Sequence, residues 1–153
     1  MMGFGGGPTL LIPGLAGFYA RVEPMVYTLL RFGIGIIIFI HGWGKLTGPG
    51  LEGVTGMFGK MGLGAAGAFA LAAIFLETVG SLCVAIGLFT RFFAAALAIE
   101  MLIALLTAHL PKGFSVGAGG YEYVLLLGLV FFAIALRGGG VYSVDQKLIG
   151  KEL

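Results

Sequence analysis

The sequence predicts an all-α membrane protein, a four-transmembrane-helix bundle. Three observations indicate this class: long apolar runs, few charges and many glycines. Of the 153 residues, 59% are hydrophobic and only 10% are charged, whereas a soluble domain is typically about 25% charged. The 29 glycines fit a membrane bundle, because small residues let membrane helices approach closely. The net charge of +2, without a basic cluster, argues against nucleic acid as a partner.

Four apolar stretches account for the predicted crossings, each of which takes about 20 residues. The spans are predicted at about 25–42, 66–89, 92–108 and 121–136. Together they form a transmembrane domain over 25–137. An N-terminal arm, 1–24, is partly irregular because of its glycines and prolines, and a cytoplasmic tail covers 138–153.

The first outer loop contains a helical pattern of its own. Apolar residues recur there at helical spacing, at Leu51, Val54, Met57, Phe58 and Met61. This pattern predicts a short amphipathic helix that lies in the membrane interface.

Basic residues near the predicted span ends indicate the orientation. The side that holds both termini carries Arg21, Arg91, Arg137, Lys147 and Lys151, and the other side carries Lys45, Lys60 and Lys112. By the positive-inside rule, this bias predicts cytoplasmic N- and C-termini.

Glu77 is the only ionisable side chain of the second span. A charge near the bilayer centre costs roughly 2.5–3.5 kcal/mol on insertion scales, so Glu77 must face protein, water or a partner charge. Placing the polar residues by depth, at about 1.5 Å per residue, gives two layers. The inner layer is Arg31, Glu77 and Glu100, and the outer layer is His41, Lys45, His109 and Glu122. We therefore predict a buried polar site around Glu77.

Within the inner layer, one arginine faces two carboxylates. Arg31 binds a carboxylate through a two-pronged contact, and we expect its partner to be Glu100. Glu77 is then the excess acid, which desolvation favours in its protonated form and which suits a proton relay or a quinone site. The alternative is that Arg31 and Glu100 only join the helices.

The first span also has a glycine face. Arg31, Gly35, Gly42 and Lys45 share one stripe at about 100° per residue. We expect this stripe to pack against other helices, and the side covered by Ile36–Ile38 to face lipid.

The outer histidines are predicted to be helix-end residues in contact with water, without a metal. His41, His109 and Glu122 form an alternative ligand set, but they lie on three helices and show no local ligand spacing. His109 lies about 180° around a regular helix from Glu100, so the two are not expected to share a face.

Cys83 is the only cysteine, which excludes an internal CxxC redox mechanism. Electrons would have to come from a bound carrier or a partner subunit. The chain alone is therefore not expected to be a complete enzyme.

The order of several short motifs resembles the DoxX family of small four-helix bacterial membrane proteins. The motifs are HGWGK at 41–45, ExxG at 77–80, GLFTR at 87–91, GGxE at 119–122 and SxD at 143–145. The resemblance implies a four-helix bundle in the bacterial inner membrane. Some relatives are named as subunits of quinone-linked oxidoreductases, which implies a membrane subunit of a redox-associated complex with quinone as its cofactor.

Two alternatives stay open. The first is a non-catalytic structural or assembly subunit that binds other subunits of a membrane complex through the N-terminal arm and the glycine-rich faces. The second is a small proton-coupled transporter, against which the lack of a convincing inverted repeat argues.

Overall fold

The computed structural model describes residues 10–151, apart from the side chain of Ile149, and its regular elements in that range are all helical. Residues 1–9 of the predicted arm and 152–153 of the predicted tail lie outside the described residues. A short 3₁₀ turn at Pro13–Leu15 precedes the first long helix. The five helices are α1 (Ala16–Thr47), α2 (Gly50–Lys60), α3 (Ala66–Ile86), α4 (Thr90–Lys112) and α5 (Glu122–Arg137).

Three helices are long and apolar enough to cross a membrane. They correspond to Pro13–Thr47, Ala66–Ile86 and Thr90–Lys112, with mean hydropathies of 1.7, 2.2 and 2.0. α5 has 16 residues, fewer than the about 20 that a crossing usually takes. The membrane class is therefore confirmed, whereas the fourth crossing and the orientation of the termini stay predictions.

The predicted spans 66–89, 92–108 and 121–136 agree with α3, α4 and α5 to within a few residues. The first helix differs, because it begins at Ala16 and continues to Thr47 with Pro24 inside it. A proline there removes one backbone hydrogen bond but does not end the helix.

Two of the long helices contain a π-helical turn. α3 has one at Leu76–Gly80, which includes Glu77, and α4 has one at Leu105–His109. Such turns fit one extra residue into a helix and are frequent at functional sites. No periodicity in the sequence predicts them, and both adjoin the candidate site.

The glycine stripe of α1 is a packing face, as predicted. Arg31, Gly35 and Gly42 are buried, and a Cβ atom on Gly42 would lie 2.6 Å from the backbone carbon of Glu77. The prediction for the isoleucines is partly wrong: Ile37 is exposed, but Ile38 belongs to the core.

The core is built mainly between α4 and α5, with contributions from α1 and α3. Its buried members are Ile38, Val84, Phe93, Ala94, Leu97, Met101, Val124, Leu127, Phe131 and Ile134. On the other side, Val54 of α2 packs with Ala70 and Ile74 of α3. A helix is therefore present in the first loop, and its location in a membrane interface stays a prediction.

Candidate functional site

Three charged side chains from three helices meet inside the bundle. Lys45 Nζ donates a hydrogen bond to Glu77 Oε1 at 2.5 Å. Glu100 lies close enough to Glu77 and Lys45 to interact electrostatically with both. We call Lys45, Glu77 and Glu100 the carboxyl cluster.

The carboxyl cluster depends on the close approach of α1 and α3. Gly42 has no side chain, so α1 touches the backbone of Glu77 directly. Lys45 lies about one turn further along α1. Helical side chains lean toward the N-terminus of their helix, so the Lys45 side chain reaches back to Glu77.

Two carboxyl oxygens of this cluster are buried without a partner. Glu77 Oε2 and Glu100 Oε2 receive no hydrogen bond from any residue between 10 and 151. The Glu77 side chain is only 6% exposed. A buried acceptor without a donor costs about 1–3 kcal/mol, so these atoms indicate a place for a ligand, water or a proton.

Both glutamates line a cavity of about 330 Å³. Its polar wall also includes Lys45, Thr107 and His109, and its apolar wall is formed by side chains of α2, α3 and α4, among them Phe58, Phe69 and Leu76. Small-molecule sites typically measure about 300–1,000 Å³ and combine an apolar lining with a few polar groups. The cavity therefore has the size and the lining of a site for a small ring-shaped molecule.

The position of His109 corrects the prediction that it faces away from Glu100. Both residues line the same cavity, because the π-turn at Leu105–His109 unwinds α4 between them. In a regular helix, nine residues turn by roughly 900°, which places the two side chains about 180° apart. Because the π-turn accommodates one extra residue, the rotation corresponds to about eight residues, and the two side chains are only about 80° apart. They therefore share a face.

The hydrogen bond of His109 determines its tautomer. Its Nδ1 lies 2.7 Å from the carbonyl oxygen of Gly119. A carbonyl oxygen can only accept, so Nδ1 carries the hydrogen and donates it. In the neutral ring, Nε2 is then the acceptor.

The expected pairing of Arg31 with Glu100 is wrong. Arg31 Nη1 donates to the carbonyl oxygens of Val84 at 2.5 Å and Ala85 at 2.9 Å, and Nη2 donates to that of Tyr142 at 3.2 Å. Val84 lies seven residues after Glu77, about 10 Å along α3. Lys45, which the depth estimate assigns to the outer layer, is instead the cation that contacts Glu77.

His41 and Glu122 lie outside the cavity lining. His41 is exposed, with its ring centre 6.4 Å from that of Tyr123. Glu122 is exposed in the first turn of α5, where its Oε2 accepts a hydrogen bond from the Val116 N–H at 3.1 Å. Among residues 10–151, no three His, Cys, Asp or Glu side chains are grouped to hold a metal, so the structure does not bring the alternative set His41, His109 and Glu122 together.

A second polar cluster, at the opposite end of the bundle, was not predicted as a unit. Asp145 is 2% exposed, and its carboxylate accepts hydrogen bonds from Phe89 N–H at 2.8 Å, Thr90 N–H at 3.1 Å and the Thr90 hydroxyl at 3.1 Å. The tail thus caps the N-terminus of α4. We call Arg31, Thr90, Ser143 and Asp145 the tail cluster.

A sequence signal for the tail cluster did exist. GLFTR at 87–91 and SxD at 143–145 are the segments that meet, since Gly87 O accepts a hydrogen bond from Asp145 N–H at 2.9 Å. The Ser143 hydroxyl accepts a hydrogen bond from Gln146 N–H at 3.1 Å and so joins the two ends of a terminal turn.

Comparisons with known proteins agree with the resemblance. The DoxX family model matches residues 26–110, a range that contains the whole carboxyl cluster and His109. A Bacillus subtilis protein named "Putative oxidoreductase CatD" is 37% identical over 117 residues, which cover 76% of this chain and 82% of that protein. An uncharacterized Haemophilus influenzae protein is 34% identical over 136 residues, 86% of this chain and 96% of the relative. No solved structure matches the chain at a significant level.

Proposed function

The chain belongs to the DoxX family of membrane proteins, and from this premise we propose that it is a membrane subunit of a redox-associated complex that binds a quinone or quinol beside Glu77. The observation that supports this most is the pair of buried, unpartnered oxygens, Glu77 Oε2 and Glu100 Oε2, on the wall of a cavity. A ligand with hydroxyl groups would satisfy both acceptors.

The lining of the cavity fits such a ring. The apolar side chains, including Phe58, Phe69 and Leu76, offer a surface for a flat apolar molecule. At the polar wall, Glu77 and Glu100 accept hydrogen bonds from the hydroxyl groups of a quinol. Lys45, whose ammonium has three N–H donors, can also donate to a carbonyl oxygen of the oxidised form.

Interconversion of quinone and quinol moves two electrons and two protons. The carboxyl cluster can hold and exchange protons, because it combines two carboxyl groups with one cation, Lys45, and a proton on one carboxyl group would make it neutral. The electrons need another source, because a single cysteine cannot form an internal dithiol pair. The proposed role is therefore that of a subunit rather than of a complete enzyme.

Two further observations agree with this role. The Bacillus subtilis relative carries a provisional oxidoreductase name. At the N-terminus, Leu11 is 99% exposed and Ile12 is 59% exposed, so this apolar stretch is available to other subunits or to lipid. We place the chain in the bacterial inner membrane with cytoplasmic termini.

The glycines of α1 divide into inward and outward ones. Gly35 and Gly42 pack within the chain, whereas Cβ atoms on Gly33 and Gly44 would meet nothing within 4 Å among the described residues. The proposed contact with another subunit would therefore use the outward glycines, where a partner helix can approach closely.

The test compares quinone content in two variants. Wild type, Glu77→Gln and Glu52→Gln are purified in a mild detergent, and extracted quinones are quantified per chain. Glu52 is an exposed glutamate in the first turn of α2, so its variant controls for loss of a carboxylate. We expect wild type and Glu52→Gln to retain quinone and Glu77→Gln to lose it at least about tenfold, because a hydrogen-bond partner of the ligand is replaced. Equal content in all three, or none in wild type, would reject the proposal.

The alternatives have tests of their own. The structural-subunit alternative is favoured by the exposed apolar N-terminal stretch, and it predicts that deletion of residues 1–20 releases the chain from a copurifying complex. The transporter alternative predicts a proton-coupled flux in liposomes that Glu77→Gln abolishes while Glu52→Gln leaves it unchanged.

A further inference from the structure

We propose that the carboxyl cluster is a proton-binding site in its own right and that His109 is the residue through which its proton exchanges with the loop that follows α4. This inference concerns the same cavity as the proposed function but does not depend on a bound quinone. It would hold equally if the cavity contained only water.

The first step is the existence of the proton. The carboxyl groups of Glu77 and Glu100 line one cavity, and each keeps a buried oxygen without a donor among the described residues. A proton on one of them would supply a hydrogen that two ionised carboxylates lack. With one proton on the pair, Lys45 balances the single remaining negative charge, and the cluster is neutral. Neutrality is the state that an apolar bundle favours, because an unbalanced charge inside a membrane is costly.

The second step is the route. The ionisable side chains that line the cavity are Lys45, Glu77, Glu100 and His109. His109 is the one at the end of α4, and the nine residues that follow it, 110–118, are all exposed. Its ring is therefore placed between the carboxyl cluster and the loop.

The hydrogen bond of His109 uses Nδ1 and leaves Nε2 able to accept a proton. Nδ1–H is held by the Gly119 carbonyl oxygen at 2.7 Å, so Nε2 is the basic nitrogen of the neutral ring. Lys112 is the other cation nearby, since a Cβ atom on Gly119 would lie 3.6 Å from its Nζ.

The third step is the absence of a second route toward the tail. Beyond Glu77, α3 continues with Ser81, Val84 and Ala85, which are at most 2% exposed. The guanidinium of Arg31 is bonded to the carbonyl oxygens of Val84 and Ala85. A proton on the carboxyl cluster is thus separated from the tail end by packed side chains and a fixed cation.

The transfer itself is balanced. A hydronium ion at the loop gives a proton to His109 Nε2, which makes the ring an imidazolium and leaves a neutral water. The imidazolium gives that proton to an ionised carboxylate of the cluster, directly or through water in the cavity, and returns to the neutral ring. Throughout, the Nδ1 hydrogen stays on the bond to Gly119, and the cluster changes from one net negative charge to none.

Infrared spectroscopy of the purified protein tests both parts. A protonated carboxyl group has a C=O stretch that shifts when the protein is moved from H₂O to D₂O. We expect wild type to show such a band, Glu100→Gln to lose it, and His109→Gln to exchange at least about tenfold more slowly, since a positioned acid–base group typically contributes 10²–10⁴-fold to proton transfer. Glutamine keeps an N–H donor for Gly119 but has no titrating nitrogen.

The chain supplies a matched control, since His41 is its only other histidine and is exposed beside Tyr123, outside the cavity lining. His41→Gln should exchange at the wild-type rate. His109→Ala with added imidazole should recover much of the lost rate, which separates a proton-transfer role from a folding defect.

Each failure has a distinct meaning. A His109→Gln variant that exchanges at the wild-type rate overturns the route, and a wild-type spectrum without a band sensitive to Glu77→Gln or Glu100→Gln overturns the proton site. Neither result depends on quinone extraction. The proposed function can therefore fail while this inference stands, and this inference can fail while the proposed function stands.

Discussion

The carboxyl cluster and the tail cluster are both buried and polar, but they differ in how the oxygens of their carboxyl groups are satisfied. In the tail cluster, the Asp145 carboxylate accepts three hydrogen bonds from Phe89 and Thr90. In the carboxyl cluster, Glu77 and Glu100 each keep one oxygen without a donor from the described residues and adjoin a cavity. Buried polar groups are normally satisfied, and exceptions need an explanation. From this difference we infer that the tail cluster stabilises the fold and that the carboxyl cluster binds a ligand or a proton.

Glycines enforce close packing at both clusters, with different consequences. At the tail cluster, a Cβ on Gly87 would lie 2.5 Å from Ser143 Cβ and 2.6 Å from Arg31 Nη1, so neighbouring side chains fill the contact completely. At the carboxyl cluster, Gly42 brings α1 onto the backbone of Glu77, and the carboxyl group of Glu77 lines the cavity. Close packing therefore fixes the position of Glu77 without filling the site.

The largest expected effect comes from breaking the tail cluster with Asp145→Ala. The change leaves the Phe89 and Thr90 N–H groups at the start of α4 without their acceptor, and loss of a helix cap together with buried unsatisfied donors should cost about 3 kcal/mol. Thermal or denaturant unfolding in detergent measures it. Glu52→Ala removes an exposed carboxylate and should shift stability by no more than about 0.5 kcal/mol.

Quinone content distinguishes this loss of stability from damage to the site. At a temperature where Asp145→Ala is still folded, it should retain as much quinone as wild type, because Asp145 belongs to the tail cluster and not to the cavity lining. If quinone is lost while the fold persists, the two clusters are not independent.

The sequence allowed the membrane class, the approximate bounds of three helices and the glycine face of α1 to be predicted, because hydropathy and the 3.6-residue period determine them. It did not allow the carboxyl cluster to be assembled correctly. The depth estimate grouped Arg31 with Glu77. In the structure Lys45 contacts Glu77 instead, because its side chain leans back toward the N-terminus of α1. His109 was assigned to the wrong face because a π-turn has no periodic signature, and its effect on the helix accumulates only after Leu105.

An intermediate effect is expected from Gly42→Ala. Its methyl group would meet the backbone of Glu77 at 2.6–2.8 Å, and backbone cannot move aside as a flexible side chain can, so overpacking should destabilise the protein by about 1–3 kcal/mol. The displacement of Glu77 should also reduce quinone content, which a purely structural contact would not do.

Gly44→Ala is the matched control, two residues along the same helix. A Cβ there meets nothing within 4 Å among the described residues, so alanine should be neutral or stabilise the helix by about 0.4–1 kcal/mol. Equal destabilisation by both substitutions would mean that helix geometry, rather than the contact with Glu77, sets the effect.

The smallest effect on stability is expected from Glu100→Gln. The amide can donate a hydrogen bond to Glu77 in place of the shared proton, so the pair persists and the free energy of unfolding should change by less than about 1 kcal/mol. The infrared band of the protonated carboxyl should nevertheless disappear. The same unfolding assay provides the contrary outcome. If Glu100→Gln destabilised the protein as much as Asp145→Ala does, the carboxyl cluster would be a second structural contact, because a change that keeps the shape of the side chain should cost that much only where the carboxyl group holds the helices together.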